Sequence, residues 1–248
     1  MDEKWSFVLK KEDHCDPEFN SRCGDNWDHV AFEPENHLVL SVVNGKRSQR
    51  HVRRLLRDVK RIMQDRVPRL LTTDEYRAYK SEILFAYGSK IDVPRRHSRS
   101  RAPAPRTVPP PELLYATVHK TRKNGTVVKV ETRLQFGSRE QLDAALKASK
   151  VNRKVNTAFV ERHNGTDRHK NSRKARKTYR FSKDWEIHNA VTKFSMYAYN
   201  FCWPLRTLRV KDTDGGYRQR TPTMTAELAD HVWSIKEWLT FPAAKNKV

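Results

Sequence analysis

The sequence predicts an α/β fold, and three observations lead to that class. Short runs of alternating or β-branched residues indicate strands, and longer runs with apolar residues every three or four positions indicate helices. Both kinds of element recur along the 248 residues instead of standing in separate blocks. Within this class, a strong turn signal adds an inserted β-hairpin, and apolar positions late in the chain add a helical C-terminal extension.

The first 45 residues predict three strands. Residues 2–10 place Trp5 and Phe7 on one face of a strand that has Asp2 at its beginning. Glu3 should then point to the opposite face from Asp2. The other two strands are predicted at 27–32 and 37–43. This spacing favours a meander of three antiparallel strands.

A helix, a strand and a second helix are predicted next. Ser48 is the expected N-cap of a helix to about residue 64, whose outer face is rich in arginine. Its inward face should contain Val52, Leu55, Leu56, Val59, Ile62 and Met63. A short apolar strand at 69–73 ends on Asp74, just before a helix over 75–87. A strand that delivers an acid at its carboxyl end is where α/β folds place catalytic groups.

The middle of the chain is predicted to contain a linker, a hairpin and a capped helix. Residues 92–111 are rich in proline and arginine, which indicates a stiff, basic connector. Alternating strands at 113–121 and 126–136 flank Asn124-Gly125, and Ser138 with Gln141 forms a capping box. We therefore divide the chain into 1–91 (first part of the core), 92–111 (linker), 112–150 (hairpin and helix), 151–201 (two helices that complete the core) and 202–248 (C-terminal extension).

A helix that carries Glu161 is the most informative stretch of the sequence. At about 100° per residue, Glu161, Asn164 and Arg168 fall on nearly one line of the helix. From Arg162 to Lys183 there are nine lysines and arginines but a single acid, Asp167. We expect this carboxylate to bind a metal ion at the edge of a nucleic-acid groove. The residues expected to contact nucleic acid are Arg162, Asn164, Arg168, Lys170, Arg173, Lys177 and Lys183.

Two more helices are predicted after this basic run. Ser182 should cap the first, over about 183–199, and the second should cover about 223–239 after a flexible loop at 212–216. The expected inward residues of the first are Trp185, Ile187, Val191, Phe194 and Tyr197. Trp203, Trp233 and Trp238 could stack on bases, but core packing is the more common role of tryptophan.

Composition restricts the partners of the chain. A net charge of +21 and an isoelectric point near 10.1 attract polyanions, among which nucleic acid is the most common. A membrane-surface protein is an alternative, but no apolar run approaches the ~20 residues of a membrane span. Three scattered cysteines disfavour a disulfide scaffold and favour a reducing compartment, and the spacing of His14, Cys15 and Cys23 disfavours zinc. Charge alone does not separate an enzyme from a binding protein.

Three acids stand out by position: Asp2 on the first strand, Asp74 after the fourth and Glu161 on a late helix. Phosphodiester cleavage and transfer commonly use two divalent ions about 3.5–4 Å apart. Carboxylates are suitable ligands for Mg²⁺. Each acid alone has a simpler explanation as a helix cap or a surface charge.

Several blocks of the sequence resemble DDE transposases of bacterial insertion sequences, in the group related to the IS1-type elements. These blocks cover nearly the whole chain and occur in the order seen in that family. They are Asp2 to Val8, Gly45-Lys46-Arg47, Thr73 to Tyr79, Val160-Glu161-Arg162-His163-Asn164, Phe181-Ser182-Lys183, Tyr199-Asn200-Phe201 and Thr221-Pro222.

The resemblance implies an RNase H-like fold, with a mixed five-stranded sheet flanked by helices. It implies that Asp2, Asp74 and Glu161 bind Mg²⁺ or Mn²⁺, and that Arg168 is the basic residue seven positions after the glutamate. The implied activity is DNA cleavage and strand transfer between element ends and target DNA, by a homo-oligomer in the cytoplasm, at the nucleoid. We expect the N-terminal DNA-binding module of such proteins to be encoded separately or lost. The alternative is an inactive, truncated transposase that only binds DNA.

Overall fold

The computed structural model describes residues 1–16, 18, 21–95, 103–151 and 153–242, and it has the mixed α/β class that the sequence predicts. Its strands are β1 (Asp2–Val8), β2 (Gly24–Glu33), β3 (Leu38–Gly45), β4 (Leu71–Thr73), β5 (Ser89–Ile91), β6 (Arg106–Val108), β7 (Tyr115–Lys123), β8 (Thr126–Phe136), β9 (Leu205–Lys211) and β10 (Tyr217–Arg220). Its helices are α1 (Gln49–Ile62), α2 (Ala78–Tyr87), α3 (Arg139–Ala148), α4 (Ala158–Lys170), α5 (Trp185–Cys202), α6 (Pro222–Thr225) and α7 (Ile235–Thr240).

The strands form several small sheets. β1, β2 and β3 are neighbours in that order, as expected for a meander. β4, β7 and β8 form a second sheet, in which β4 runs parallel to β7 and β7 antiparallel to β8. β5 pairs with β6 and β9 with β10, both antiparallel. The described residues do not form one continuous five-stranded sheet.

The chain divides into two compact units, each assembled from separate stretches. The first contains Met1–Ser6, Asn26–Ala31 and Leu40–Arg162, and the second contains Phe7–Asp25, Phe32–Val39 and the chain from His163 onward. The five contiguous segments predicted from the sequence stay a prediction, because these units combine residues that are far apart in the chain.

Helix α1 packs its apolar face into the core of the first unit. Val52, Leu55, Leu56 and Val59 are buried, as their spacing predicts. Ile62, also predicted inward, is the last residue of the helix and is 46% exposed. The α1 residues pack with side chains from β3, β4, α2 and the β7 region, including Val43, Leu71, Tyr79, Ile83, Leu113 and Tyr115.

The hairpin of β7 and β8 confirms the turn signal in the sequence. Asn124 and Gly125 have φ angles of 49° and 78°, the left-handed conformation that a two-residue hairpin turn requires. The expected capping box of Ser138 and Gln141 is also present at α3. The hairpin is not a separate insertion, however. Its buried first strand pairs with β4, so it extends the sheet that ends at Asp74.

Strand β1 alternates as predicted, but its polar side is the more deeply buried one. Lys4 is buried, whereas Trp5 and Phe7 are half-buried. The Nζ atom of Lys4 lies 3.4 Å from Oδ2 of Asp28, and neither side chain is exposed. The same carboxylate accepts hydrogen bonds from the side-chain amides of Asn26 and Asn44. Because the charge is paired and hydrogen-bonded, a lysine is tolerated where periodicity predicts an apolar residue.

Part of the predicted linker pairs with another segment of the chain. Residues 96–102 lie outside the described part of the chain. On either side of them, Ser89–Ile91 and Arg106–Val108 pair as antiparallel strands. The predicted stiff, basic connector over 92–111 stays a prediction, and three of its residues, Arg106–Val108, have a strand partner.

The C-terminal extension is not the helical segment that the sequence predicts. β9 and β10 form a hairpin, and only two short helices, α6 and α7, fall within the helix expected over 223–239. The ring centroids of Trp233 and Trp238 lie 4.7 and 5.2 Å from that of Phe201. These two tryptophans therefore have the packing role that is common for the residue.

Helix α5 begins later than predicted and buries a different face. Asp184, not Ser182, is its N-cap, and the carboxylate accepts a hydrogen bond from the Ile187 amide at 2.9 Å. Ile187 and Phe194 are exposed, although the apolar pattern places them inward. The buried residues are His188, Thr192, Met196, Ala198, Tyr199 and Asn200. Hydrogen bonds offset the cost of burying polar groups at this face. For example, the side-chain amide of Asn200 donates to the carbonyl oxygen of Val39 and accepts from its N–H.

Two further findings concern the cysteines and the membrane. Cys15 and Cys23 form a disulfide with their Cα atoms 6.1 Å apart, and Cys202 is free. A single bridge is not a disulfide scaffold, but the spacing did not predict this pairing. In the described part of the chain, no helix has both the length and the apolar character needed to cross a membrane.

Candidate functional site

The three predicted acids come from three separate elements of the first unit. Asp2 begins β1, Asp74 directly follows β4, and Glu161 lies in the first turn of α4. The side chains of Asp74 and Glu161 are 40% and 45% exposed. Asp2 is half-buried. All three can therefore face solvent or a bound ligand at least in part.

The charges of these three acids act on one another. The pKa of Asp2 is raised, chiefly because burial disfavours the charged form. The N-terminal ammonium opposes this shift, whereas the negative charges of Asp74 and Glu161 add to it. These carboxylates are about 70 to 160 residues apart in sequence. A direct contact links the segments of two of them: the N-terminal nitrogen of Met1, next to Asp2, donates to the carbonyl oxygen of Thr72, two residues before Asp74, at 2.7 Å.

Two side chains hold the carboxylate of Glu161 in place by hydrogen bonds. Lys120 Nζ and Thr157 Oγ1 both donate to Oε1 of Glu161, and Lys120 also lies 3.4 Å from Thr157. Burial favours a higher pKa for Glu161, but these bonds and the positive charges of Lys120 and Arg122 outweigh it and lower the pKa. Glu161 is therefore kept ionised by residues of the protein itself.

Arg47 connects Asp74 to the buried carboxylate of Glu3. Its guanidinium lies 3.0 Å from Glu3 and 3.8 Å from Asp74. The same group stacks between two aromatic rings, 4.3 Å from the centroid of Tyr76 and 5.0 Å from that of Trp27. This arrangement fixes Arg47 beside the acids, so that one cation offsets part of their repulsion.

Glu3 lies on a different side of the site from Asp2, as the strand period predicts. Its side chain is 1% exposed, and burial raises its pKa; the neighbouring hydroxyl of Tyr79 opposes that rise, the charge of Asp74 adds to it and Arg47 again opposes it. A buried carboxylate paired with an arginine is suited to positioning its neighbours. It is less suited to contact with a ligand from solvent.

The loop after β4 is fixed by the neighbouring hairpin. The backbone amide of Tyr76 donates to Oδ1 of Asp74 at 3.1 Å, which forms a tight turn at the acid. The next residue, Glu75, contacts both His119 of β7 and Arg133 of β8, the latter at 2.8 Å. Because β7 also pairs with β4, the position of Asp74 depends on the hairpin that the sequence treats as an insertion.

Helix α4 does not present Glu161, Asn164 and Arg168 on one exposed line. Glu161 is exposed, Arg168 is half-buried, and Asn164 is only 4% exposed. The inward positions are Val160, His163, Asn164 and Asp167, spaced as on one helix face. The expectation that Asn164 contacts nucleic acid is therefore wrong, because its side chain is directed into the protein. Periodicity missed this face because most of its residues are polar.

The single acid of the basic run is also internal. The carboxylate of Asp167 lies 3.8 Å from Nζ of Lys174 and accepts a hydrogen bond from Ser195 at 2.9 Å. Side chains of both Asp167 and Lys174 are at most 3% exposed. One lysine of the run is thus used for internal pairing with its single acid.

The other predicted nucleic-acid residues differ in accessibility. Exposed ones are Arg162, Lys177 and Lys183, and half-buried ones are Arg168, Lys170 and Arg173. The ammonium group of Lys170 lies over the ring of Trp203, and burial lowers the pKa of this lysine to about 8. Lys183 lies 3.5 Å from the ring centroid of Phe181. The exposed cations remain candidates for phosphate contacts.

The carboxylates do not form a ready-made metal centre. Among the described residues, no group of three or more histidine, cysteine, aspartate or glutamate side chains is arranged to hold a metal ion. The donor chemistry nevertheless suits a hard divalent cation, because carboxylate oxygens are the ligands that such ions prefer. Glu161 would have to turn from Lys120 toward the other two acids to join them.

Sequence reasoning missed Lys120, Thr157 and the role of Arg47. Lys120 had a usable signal: it continues the face of β7 that carries Ala116 and Val118, so its stem starts from a buried surface. Arg47 follows the glycine that closes β3, but nothing in its spacing indicates two carboxylate partners. These contacts arise between elements far apart in the chain, where spacing carries no information.

Comparison with known proteins adds no relative: neither a family model, nor a curated protein, nor a solved structure matches this chain.

Proposed function

We propose that this chain is the catalytic domain of a DDE-type DNA transposase, which cleaves DNA and transfers strands with the help of divalent metal ions. The observation that carries the proposal is the contact between the beginning of β1 and β4, where the N-terminal nitrogen of Met1 donates to the carbonyl oxygen of Thr72 at 2.7 Å, next to Asp2 and two residues before Asp74. Acids supplied by separate elements of a strongly basic chain are what phosphoryl transfer on DNA requires.

An RNase H-like core is part of this proposal, and one hydrogen bond supports it. The N-terminal nitrogen of Met1 donates to the carbonyl oxygen of Thr72 at 2.7 Å. This contact brings the beginning of β1 beside β4. Together with the parallel pairing of β4 and β7, it favours the order β3-β2-β1-β4-β7-β8, a mixed sheet whose first five strands correspond to the predicted arrangement and to which β8 adds a sixth. Asp2 and Asp74 would then lie on neighbouring strands near the middle of the sheet.

Mg²⁺ or Mn²⁺ is the proposed cofactor, held by Asp2, Asp74 and Glu161. When bound, such ions stabilise the charge that develops on the attacking and leaving oxygens of a phosphodiester. Arg47 keeps Asp74 in place through its ion pair and its stacking between two rings. Arg162, next to Glu161 and exposed, is the nearest candidate in the chain for a phosphate contact.

DNA is the proposed partner, both as element ends and as target. The exposed cations Arg162, Lys177 and Lys183 and the net charge of +21 support it, since phosphate contacts dominate affinity for DNA. We further propose a homo-oligomer in the active state and a location in the cytoplasm at the nucleoid. These follow from the family resemblance and from charge.

The test is a strand-transfer assay with purified protein and Mn²⁺ or Mg²⁺. A labelled duplex with the DNA that flanks the coding sequence serves as donor, and a supercoiled plasmid serves as target. Glu161→Gln and Asp74→Asn should each lower the rate by roughly a thousandfold or more, because each removes a metal ligand. Asp143→Asn, a change of an exposed acid on α3, is the matched control and should leave the rate unchanged. Equal joining by wild type and Glu161→Gln contradicts the proposal.

A non-catalytic DNA-binding protein is the second candidate, such as a truncated element product. The observation in its favour is that Glu161 is engaged by Lys120 and that no metal-ready cluster occurs among the described residues. It predicts tight DNA binding that Asp74→Asn does not affect, and no metal-dependent nicking. Nicks without joined products would indicate a nuclease instead.

A further inference from the structure

The carboxylate of Glu161 already has a cation beside it, and that cation belongs to the protein. Lys120 lies on β7 and Glu161 on α4, 41 residues apart in sequence, and both are part of the first unit. Lys120 Nζ and Thr157 Oγ1 donate to the same oxygen, Oε1. A charge-assisted pair of this kind is short and strong relative to neutral hydrogen bonds.

The strand holds Lys120 in this position. Residues of β7 alternate between two faces, and Lys120 shares a face with Ala116 and Val118, which are both buried against α3. The side chain of Lys120 is 31% exposed and that of Glu161 is 45% exposed. The aliphatic part of the Lys120 side chain therefore starts from a buried surface, whereas its ammonium group is accessible enough to leave Glu161.

The contact of Asp74 with a cation is looser: the guanidinium of Arg47 lies 3.8 Å from its carboxylate, whereas Lys120 donates a hydrogen bond directly to Glu161. An ion that binds the three carboxylates would have to take Glu161 from Lys120. This explains why acids that influence one another do not already form a ligand cluster.

We propose that Lys120 is an internal competitor of the divalent cation: its ammonium occupies Glu161 in the metal-free protein and must be displaced before the ion binds. The inference rests on the proposed metal site and adds a residue that sets the affinity of that site. Lys120 acts through Glu161 and is thus a positioning residue. The protein would accept the ion more weakly than three free carboxylates would.

The experiment is a titration of the full chain with Mn²⁺ alone, without DNA, in which electron paramagnetic resonance measures the free ion. Lys120→Gln should bind Mn²⁺ about tenfold more tightly, which corresponds to the loss of one partly exposed charge-assisted contact. Lys120→Arg retains the charge and should not bind more tightly than wild type. Lys123→Gln removes a charge from the exposed end of the same strand and should change the affinity much less than Lys120→Gln.

Two outcomes overturn the inference. In the first, Lys120→Gln binds Mn²⁺ no more tightly than wild type. In the second, Lys120→Gln and Lys123→Gln gain the same affinity for Mn²⁺, which would show that only the general loss of positive charge matters. If Lys120→Gln does not fold, as judged by thermal unfolding, Lys120→Met takes its place with the same expectation. Asp2→Asn and Glu161→Gln separate this inference from the proposed function. If they bind Mn²⁺ as tightly as wild type, the metal site itself is elsewhere and the proposed function fails.

Discussion

Lys4 lies fully buried in the first unit, with its ammonium 3.4 Å from a carboxylate oxygen of Asp28. Asn26 and Asn44 donate to the other oxygen of that carboxylate. Such a group of polar side chains stabilises only when complete, because any member left alone retains its cost of burial. Its placement two residues after Asp2 on the same strand means that the beginning of β1 depends on it.

Replacement of Lys4 by methionine should therefore be strongly destabilising. The substitution leaves the buried charge of Asp28 without a cation, which typically lowers the free energy of unfolding by about 3–5 kcal/mol. Urea denaturation measures this. Lys147→Met, at an exposed position of α3, is the control and should change stability by less than about 0.5 kcal/mol. A loss below about 1 kcal/mol for Lys4→Met would show that Asp28 is not charged in the folded protein.

Two glycines should respond oppositely to replacement by alanine. Gly165 lies in the middle of α4, and an added Cβ there meets no atom within 4 Å. Gly165→Ala should raise the free energy of unfolding by about 0.5–1 kcal/mol through helix propensity. Gly45 has a φ of 150°, and an added Cβ would clash with the His51 ring, so Gly45→Ala should destabilise. Thermal unfolding of both variants tests this, and a loss of stability for Gly165→Ala contradicts the open environment of that position.

At the scale of elements, helices α4 and α5 are positioned by polar faces. The inward face of α4 contains His163, which stacks on Phe32 at 5.1 Å and contacts Tyr199 at 4.6 Å between ring centroids. Asp167, one turn further, pairs with Lys174. Helix α5 likewise buries His188 and Asn200. Aromatic contacts and hydrogen bonds thus hold α4 and α5 in position, as aliphatic packing holds α1.

The N-cap of α5 is Asp184 in the structure, whereas the sequence predicts Ser182. Asp184→Ala should lower the free energy of unfolding by about 1 kcal/mol, because the amide of Ile187 loses its acceptor. Asp184→Ser retains an acceptor and should recover most of that loss. Chemical denaturation followed by far-ultraviolet circular dichroism provides the measurement. If Asp184→Ala does not change the free energy of unfolding, Asp184 is not the N-cap, and Ser182 becomes the candidate again.

At the scale of the whole molecule, charge is the dominant property. The chain has 50 lysines and arginines against 29 acids, and several acids are already used in internal pairs such as Lys4–Asp28 and Arg53–Glu82. Each such pair uses one cation and one acid, so the excess of 21 positive charges remains with the other residues. A field of this size attracts a polyanion before any specific contact forms.

DNA binding should for this reason depend steeply on salt. If the protein makes six or more phosphate contacts, its affinity for duplex DNA should fall by about a thousandfold or more between 50 and 200 mM salt. Fluorescence anisotropy of a labelled duplex at several salt concentrations gives the slope. Lys177→Gln with Lys183→Gln should reduce that slope by about two contacts. An affinity that is independent of salt would exclude phosphate recognition as the role of the basic surface.

Local patterns predicted the elements whose residues interact with near neighbours. The apolar face of α1, the turn at Asn124-Gly125 and the capping box at Ser138 were all predicted correctly, because each depends on residues within a few positions. The inward faces of α4 and α5 were not. Their buried side chains are polar, and polarity indicates exposure unless the hydrogen-bond partner is known.

By itself, the sequence determined the mixed α/β class, the strong positive charge and the candidate acids at 2, 74 and 161. Only the tertiary structure decided that the hairpin joins the sheet of β4, that Asn164 is internal and that Glu161 contacts Lys120. The reason is physical. Period and composition record how a residue relates to its neighbours in the chain and to water, whereas ion pairs and strand pairing between distant segments depend on where the folded backbone brings them.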